Sequence, residues 1–323
     1  MRAPRLIALL VASISAPALA QEYPSKTVTV TLALAAGTGM DVVVRTWSEH
    51  LAQSLGRPVI VDNRPGANGI VAANAVRNAP ADGHALLVAS SAALAVNPIV
   101  YKQLPYDPQK DFLPIAVYLK SPFVLVVHPS LPVRSVKELA AYVKARPEQL
   151  SYASTGPGGA PRLVTELFMR HYGLNVTHVP YKNTPQGIVD IAAGHVQLGF
   201  VEASASRPFI HDKRLRALAV SSLSRFNSLP EVPALAEAMN SPGIEAVSWN
   251  ALVAPAATPR AAINRLHSEM TRIVGLPDVN KAIASLDLIP VPLVSIEANQ
   301  QYIAAEGRKW GDLVRKLGLA GSQ

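Results

Sequence analysis

The chain of 323 residues contains no cysteine, and it is also poor in charged and aromatic side chains. The absence of cysteine excludes disulfide bonds, zinc–thiolate sites, iron–sulfur clusters and thiol nucleophiles. Charged residues make up 16% of the chain and hydrophobic residues 49%, which is typical of a folded chain with a large core. The formal charge of +8 leaves nucleic acid, an anionic surface and an acidic small molecule open as partners.

Long apolar runs are missing as well, apart from a short one at the N-terminus. Arg2 and Arg5 flank the start of an apolar stretch that runs to Ile14, which is shorter than the ~20 residues that span a bilayer. Ala18-Leu19-Ala20 follows as a small-residue cleavage site, so residues 1–20 are predicted to be a secretory signal peptide. Its removal would take away both arginines and lower the formal charge from +8 to +6. For an exported chain, no nucleic-acid partner is predicted.

Signatures of chemistry are also missing. The sequence has no G-x-x-x-x-G-K-[ST] and no G-x-S-x-G, and Gly156-Pro157-Gly158 is followed by Pro161 where a dinucleotide fingerprint needs glycine. None of the eight histidines has another histidine two to four positions away, so no cofactor and no metal site are predicted. The sequence therefore predicts a binding protein rather than an enzyme. A secreted hydrolase, with a triad built from distant residues, is kept as an alternative.

Strand and helix patterns alternate, which predicts an α/β fold with mostly parallel sheets flanked by helices. A β-rich run at 27–34 leads into the loop Ala35-Ala36-Gly37-Thr38-Gly39, and a helical pattern follows and ends at Gly56. The same order recurs at 150–154, in the loop Thr155-Gly156-Pro157-Gly158-Gly159, and in a helical pattern that ends at Gly173. Two such units predict two similar domains, with their glycine-rich loops at the ligand-binding ends of the strands.

The domain limits follow from the strands between these units. Residues 21–122 and 245–323 are predicted to form domain 1, and residues 123–244 domain 2. The chain would then cross twice between the domains, at the apolar strand Phe123–Val127 and again before Trp249. Two crossings at a hinge are typical of a clamshell that closes on a ligand.

The two glycine-rich loops are the predicted binding elements. A loop at a helix N-terminus attracts an anion through its backbone N–H groups, and glycine allows the backbone to approach a ligand closely. The glycines are Gly37, Gly39, Gly156, Gly158 and Gly159, and hydroxyl groups come from Thr38, Ser154 and Thr155. The pattern predicts a small organic acid, such as a carboxylate, as the ligand.

Several ordered motifs resemble those of the Bug-type solute-binding proteins of tripartite tricarboxylate transporters. They are Tyr23-Pro24-Ser25-Lys26, Gly37-Thr38-Gly39-Met40-Asp41, the segment from Val61 to Gly69 (VDNRPGANG), Asp82-Gly83-His84, the segment from Leu104 to Phe112, His178-Val179-Pro180-Tyr181-Lys182, and the segment from Ser248 to Pro259. The resemblance covers essentially all of the chain after the signal peptide.

The resemblance implies a monomeric, two-domain periplasmic binding protein with a type II-like clamshell fold. Such a protein would deliver its ligand to the inner-membrane permease subunits of a tripartite tricarboxylate transporter. A ligand sensor for a signalling partner is the alternative that the sequence leaves open. The ligand-binding residues carried over are Ala36, Gly37, Thr38, Gly39, Asp41, Ser90, Ser91, Ser154, Thr155, Gly156, Gly158 and Gly159.

The first loop, Leu34-Ala35-Ala36-Gly37-Thr38, and three later positions depart from the family pattern and are predicted to set specificity. Arg162 stands where the family usually has histidine, and it could pair with a carboxylate. Asn183 replaces the glycine of the family's PYKG motif. Glu202 stands near the position of a frequent aspartate, where it could bind an amine or hydroxyl of the ligand or repel a second carboxylate.

Overall fold

The computed structural model describes residues 23–156, 158–181, 184–242 and 244–323. The predicted signal peptide and Asn183 lie outside the described residues. The strands are β1 (Val28–Leu32), β2 (Val59–Asn63), β3 (Ala85–Ser90), β4 (Phe112–Ser121), β5 (Phe123–Val127), β6 (Ser151–Ser154), β7 (Thr177–Pro180), β8 (Leu198–Glu202), β9 (Arg216–Val220), β10 (Ser248–Pro255) and β11 (Ile289–Pro290). The helices are α1 (Gly39–Leu55), α2 (Ile70–Arg77), α3 (Asn97–Val100), α4 (Pro108–Asp111), α5 (Val136–Lys144), α6 (Ala160–Tyr172), α7 (Thr184–Ala192), α8 (Ala203–His211), α9 (Leu235–Ala238), α10 (Arg260–Val274), α11 (Pro277–Ser285) and α12 (Ile296–Lys316).

The strands form two sheets, as the α/β prediction requires. The first sheet has the order β11-β4-β10-β3-β1-β2, and the second has the order β7-β6-β8-β5-β9. Each contains three parallel strands, β2-β1-β3 in the first and β7-β6-β8 in the second. The next strand, β10 or β5, is antiparallel to its neighbours on both sides. The sheets are therefore mixed rather than mostly parallel, because each receives a strand that enters from the other sheet and runs in the opposite direction.

The chain crosses between the sheets twice, which confirms the two predicted crossings. It leaves the first sheet at Ser121, enters the second at Phe123, and returns between Val220 and Ser248. We call the first sheet with its helices the first unit, and the second sheet with its helices the second unit. The predicted limits of the two domains stay a prediction, and the 21-residue helix α12 touches both units because its last turns pack in the core of the second.

Local sequence signals explain the elements that carry the two loops. Thr38 caps the N-terminus of α1 in an extended conformation, and Gly56 ends the helix in the left-handed region at φ +62°. Strand β5 is buried at every residue, as expected for an uninterrupted β-branched and aromatic run inside a sheet. These strand and helix predictions are confirmed.

The core is divided among the four sheet faces. One face of the first sheet packs under α1, α10 and α11, with Trp47 fully buried, and its other face packs under α2 around Trp249. In the second sheet, one face packs under α5 and α6 around Phe168, and the other packs under α7 and α8. Because helices cover both faces of each sheet, the free ends of the strands are where a ligand can reach the backbone.

Candidate functional site

The first glycine-rich loop lies between β1 and α1. Ala36 and Gly37 are exposed, and Gly37 has a φ of +80°, which favours glycine. The Thr38 hydroxyl donates to the Ala35 carbonyl at 2.9 Å and accepts the Asp41 N–H at 3.4 Å. The loop is thus shaped by its own hydrogen bonds, and it brings the N-terminus of α1 to the end of the sheet.

Asp41 holds the backbone of the first loop in place through hydrogen bonds. Its side chain is 5% exposed, and it accepts hydrogen bonds from the Gly37 N–H at 2.9 Å, from Arg45 Nε at 3.0 Å and from Asn63 Nδ2 at 2.9 Å. Burial by itself raises the pKa of Asp41, but the hydrogen bonds from Arg45, Gly37 and Asn63, with the Arg45 charge, outweigh it and hold the pKa below its usual value. Asp41 is therefore an ionised anchor of the loop backbone.

Sequence reasoning did not single out Arg45 and Asn63. Arg45 Nη2 donates to Asn63 Oδ1 at 2.9 Å, and Asn63 Nδ2 also donates to the Leu34 carbonyl at 3.0 Å. Asn63 is the asparagine of the Asn-Arg-Pro-Gly motif, so the motif itself was the available signal. Its role is to join the end of β2 to the first loop.

Ser90 ends β3 and Ser91 follows it. Because β3 runs parallel to β1, both serines lie at the same edge of the first sheet as the first loop. Ser91 is buried, and its hydroxyl lies 2.8 Å from the hydroxyl of Ser248. Ser248 begins β10, directly after the second crossing. The serine pair therefore lies at the base of the gap between the units, and a π-helical turn (Ala92–Val96) follows it.

The second glycine-rich loop lies between β6 and α6. Ser154 and Gly158 are buried, and the Gly159 N–H donates to the Gly156 carbonyl at 3.3 Å. Thr155 lies in the same turn, and a methyl group on Gly159 would overlap its carbonyl and hydroxyl oxygens. Ser154 and Thr155 line a small cavity that also touches Tyr181.

Behind Ser154 lies a polar cluster that contains Arg162. The Ser154 hydroxyl lies 2.7 Å from His178 Nε2, and the Tyr152 hydroxyl donates to Glu166 at 2.6 Å. Arg162 Nε lies 3.9 Å from Glu166, and it is buried without a hydrogen-bond partner among the described residues. The structure thus places Arg162 beside Glu166 and near His178, and its contact with a ligand stays a prediction.

His178 is neutral at ordinary pH. Its burial, followed by the nearby charge of Arg162, lowers the pKa of its imidazole from 6.5 to about 4. Between pH 4 and 6.5 the imidazole is protonated in the unfolded chain and neutral in the folded chain. The contribution of His178 to stability is therefore complete above pH 6.5 and is lost as the pH falls towards 4.

We therefore expect acid to destabilise the protein partly through His178. Because the imidazole is only partly buried, we expect a loss of about 1–2 kcal/mol in the free energy of unfolding between pH 6.5 and 4. Denaturant unfolding of wild type and of His178→Asn across this range measures it. The variant should show the flatter pH dependence, and parallel curves would contradict a neutral His178.

The second glycine-rich loop touches the first unit. The Gly158 backbone lies so close to the first unit that a β-carbon there would be 3.4 Å from Asn97 Oδ1 and 3.5 Å from Asn68 Nδ2. In the first loop, a β-carbon on Gly39 would be 3.1 Å from the side chain of Leu286, which belongs to the same unit. The second loop thus lies at the interface between the units, and the first loop lies against Leu286, whose neighbour Asp287 binds the second unit.

An ion pair joins the units beside Leu286. Asp287 is 5% exposed, and it accepts hydrogen bonds from Arg207 at 3.1 Å and from the Ser228 hydroxyl. Arg207 belongs to α8 and Ser228 follows β9, so both donors come from the second unit. Asp287 itself has a φ of +56°, a conformation that asparagine and aspartate tolerate better than alanine.

We expect the loss of Asp287 to destabilise the protein more than the loss of Arg207. Asp287→Ala leaves two donors unpaired and places alanine at a positive φ, so we expect a cost of about 2–3 kcal/mol. The Arg207 side chain is 41% exposed and can be rehydrated, so Arg207→Ala should cost about 1 kcal/mol or less. Asp287→Asn, which tolerates the backbone conformation, should fall between them in thermal unfolding. The reverse order would contradict the assignment of Asp287 as the buried acceptor.

Glu202 ends β8 and precedes α8. Its side chain is exposed to water, and desolvation by the protein nearby raises the pKa of its carboxyl. Its partner in the sheet register is Phe123, the first residue of β5 after the crossing. Glu202 therefore lies near the base of the gap between the units.

A second and larger cavity lies away from these loops. It has a volume of about 560 Å³ and is lined by Pro129 after β5, by Arg216 at the start of β9, and by Arg134, Lys137 and Lys213. Val127, at the end of β5, is the register partner of Arg216, whereas Phe123, at the start of β5, is the register partner of Glu202. The larger cavity therefore lies at the opposite end of the second sheet from Glu202. The volume of a cavity alone therefore does not identify the ligand site.

The described ranges contain no group of three or more histidine and acidic side chains that could hold a metal ion. In the same ranges, no helix is both long and apolar enough to cross a membrane.

A profile of the tripartite tricarboxylate transporter family receptor matches residues 43–319. The chain belongs to this receptor family. The receptor is 33% identical over 324 residues to the protein BugT of Bordetella pertussis, covering 98% of this chain and 99% of that protein. The predicted family is thereby confirmed.

Solved structures confirm the fold of the receptor. It is similar to R. palustris Rpa4515 with adipate, at a TM-score of 0.83 and 32% identity, with 93% of this chain and 99% of that one covered. It is also similar to the periplasmic binding protein BugD, at a TM-score of 0.80 and 28% identity, with 92% and 99% covered. The receptor is thus a member of a family of two-domain periplasmic binding proteins.

Proposed function

We propose that this protein is a periplasmic receptor that binds a small organic carboxylate between its two units. The observation that carries the proposal is the place of two glycine-rich loops, each at the N-terminus of a long helix. The second loop touches the first unit, and the first loop lies against Leu286, beside the pair that Asp287 makes with Arg207 of the second unit. Such N-termini supply backbone N–H groups and a favourable dipole for an anion. The adipate bound to Rpa4515 supports a carboxylate as the ligand class.

The ligand contacts that we propose divide between the units. The first unit would contribute Ala36, Gly37, Thr38, Gly39, Ser90 and Ser91, and the second would contribute Ser154, Thr155, Gly156, Gly158 and Gly159. Asp41 would act by fixing the Gly37 backbone, and Arg162 by placing a positive charge behind Ser154. Asn183 and Glu202 complete the proposed set. No catalytic residue belongs to it, since the role is capture and release.

We also propose how the receptor is used. Residues 1–20 would be removed on export, and the mature chain would act as a monomer that delivers its ligand to an inner-membrane permease. The family's description as a transporter receptor supports the permease partner. Mass determination of the exported protein tests the cleavage after Ala20, and an unshortened chain would contradict it.

Titration calorimetry of the mature chain against a panel of carboxylates and matched neutral amides tests the ligand class. We expect at least one carboxylate to bind with a dissociation constant of about 10 μM or lower and its neutral amide to bind at least tenfold more weakly. Tight binding of the amide with no binding of any carboxylate would overturn the proposal.

A further inference from the structure

We propose that Glu202 makes the receptor selective for carboxylates that carry a second, hydrogen-bond-donating group, an ammonium or a hydroxyl, over dicarboxylates. The inference rests on the proposed function, and it names the ligand class within it. The observations that carry it are the position of Glu202, its lack of a partner among the described residues, and the partners that the other carboxylates near the loops already have.

The position of Glu202 follows from the strand register and from α8. Its register partner, Phe123, is the first residue after the crossing, so Glu202 lies at the base of the gap. Helix α8 begins at the next residue and includes Arg207, which binds Asp287 of the first unit. The neighbour of Asp287, Leu286, contacts Gly39 in the first loop. Strand β8 lies beside β6 and runs parallel to it, so Glu202 lies at the same edge of the second sheet as the second glycine-rich loop.

The other acidic groups of this region already have partners. Asp41 is bound by Arg45, Asp287 by Arg207, and Glu166 by the Tyr152 hydroxyl. Glu202 makes no hydrogen bond or ion pair with any residue in the described ranges, and its side chain does not cap α8. Among these four carboxylates, it is the one left for a ligand.

An unpaired carboxylate in such a place has a defined chemical preference. It lies at the edge of the sheet, where the protein nearby displaces part of its water, so its interaction with a ligand charge is screened less than that of a fully solvated carboxylate. The N-terminus of α8 favours the ionised form, whereas desolvation opposes it. A ligand donor placed against Glu202 removes the desolvation cost, and a second ligand carboxylate adds repulsion. The loops would bind the ligand's carboxylate, and Glu202 would contact the group at the other end of the ligand.

Calorimetry with four ligands of one chain length tests this inference: 6-aminohexanoate, 6-hydroxyhexanoate, hexanoate and adipate. The same set is repeated with four- and five-carbon chains. For wild type we expect the amino acid to bind at least tenfold more tightly than the dicarboxylate of equal length, with the hydroxy acid between them. Glu202→Gln should reduce this preference at least tenfold and change the affinity for the plain monocarboxylate less than threefold.

Controls keep the outcomes distinct. Glu231→Gln removes an exposed carboxylate that lines the larger cavity, and it should leave all four affinities unchanged. Circular dichroism and thermal unfolding check that Glu202→Gln folds, and Glu202→Ala serves as a second variant. A wild-type preference for the dicarboxylate, or a preference that both variants leave unaltered, would overturn the role of Glu202 alone. Failure of every carboxylate to bind wild type would instead overturn the proposed function.

Discussion

Replacing Gly159 with alanine is expected to weaken carboxylate binding at least 100-fold, or by about 2.7 kcal/mol. The new methyl group would overlap the carbonyl and hydroxyl oxygens of Thr155, and it would lie 3.0 Å from the Thr155 carbonyl carbon. These are mostly backbone atoms of the same tight turn, so the loop has to open rather than rotate one side chain away. The N–H groups that face the ligand would then lose their common direction.

Gly173→Ala is the matched control for this variant. Gly173 ends the same helix, has a φ of +62°, and has no heavy atom within 4 Å of an added β-carbon. We expect it to cost about 1 kcal/mol of stability through its backbone conformation and to leave the affinity unchanged. Calorimetry and thermal unfolding of both variants measure the two effects. Binding by Gly159→Ala within threefold of wild type would contradict the role of the second loop.

Replacing Asp41 with alanine is expected to cost about 2–3 kcal/mol in the free energy of unfolding and to weaken ligand binding as well. The change leaves the Gly37 N–H and the Asn63 amide without their acceptor and Arg45 without its counter-ion. The Arg45 side chain is 47% exposed and can be rehydrated, so most of the cost comes from the two unpaired N–H donors. The affinity should fall because Gly37, in the first loop, is no longer held.

The pH dependence separates this electrostatic role from simple loss of packing. Because the folded-state pKa of Asp41 is lowered, its contribution is complete above the unfolded value of 3.8 and is lost as the pH falls through the folded value. The stability difference between wild type and Asp41→Asn should therefore be constant above about pH 5 and shrink below about pH 4. Asp312→Ala, which removes a carboxylate with 66% exposure on α12, should change stability by about 0.5 kcal/mol or less.

The loops and their helices could be predicted from sequence because their signals are local. Thr38 and Gly56 mark the two ends of α1, and Gly173 marks the end of α6 within the same continuous segment. The run Phe123–Val127 indicates its strand by composition alone. Each of these signals depends on neighbours within a few positions, so no knowledge of the tertiary structure was needed.

The contacts that hold the first loop and those that join the two units could not be predicted, because they connect residues far apart in the chain. The Asp41–Asn63 contact spans 22 positions and the Arg207–Asp287 pair spans 80. The direction in which the Arg162 side chain points could not be predicted either, because a residue in the first turn of a helix can face the ligand or the sheet. Its position beside Glu166 is a local i,i+4 relation within α6, whereas its closeness to His178 of β7 depends on how α6 packs over β6 and β8. The spacing of apolar residues indicates that a helix is amphipathic. It does not show which way a polar side chain at the edge of the apolar face points.

The most direct test of the central claim is a crystal structure of the mature chain with the carboxylate that binds most tightly in calorimetry. We predict that the bound carboxylate group lies within about 3.2 Å of N–H or hydroxyl groups from both loops, residues 36–39 and 154–159. A ligand that touches only one loop, or that occupies the cavity lined by Arg134, Lys137 and Lys213, would contradict the account.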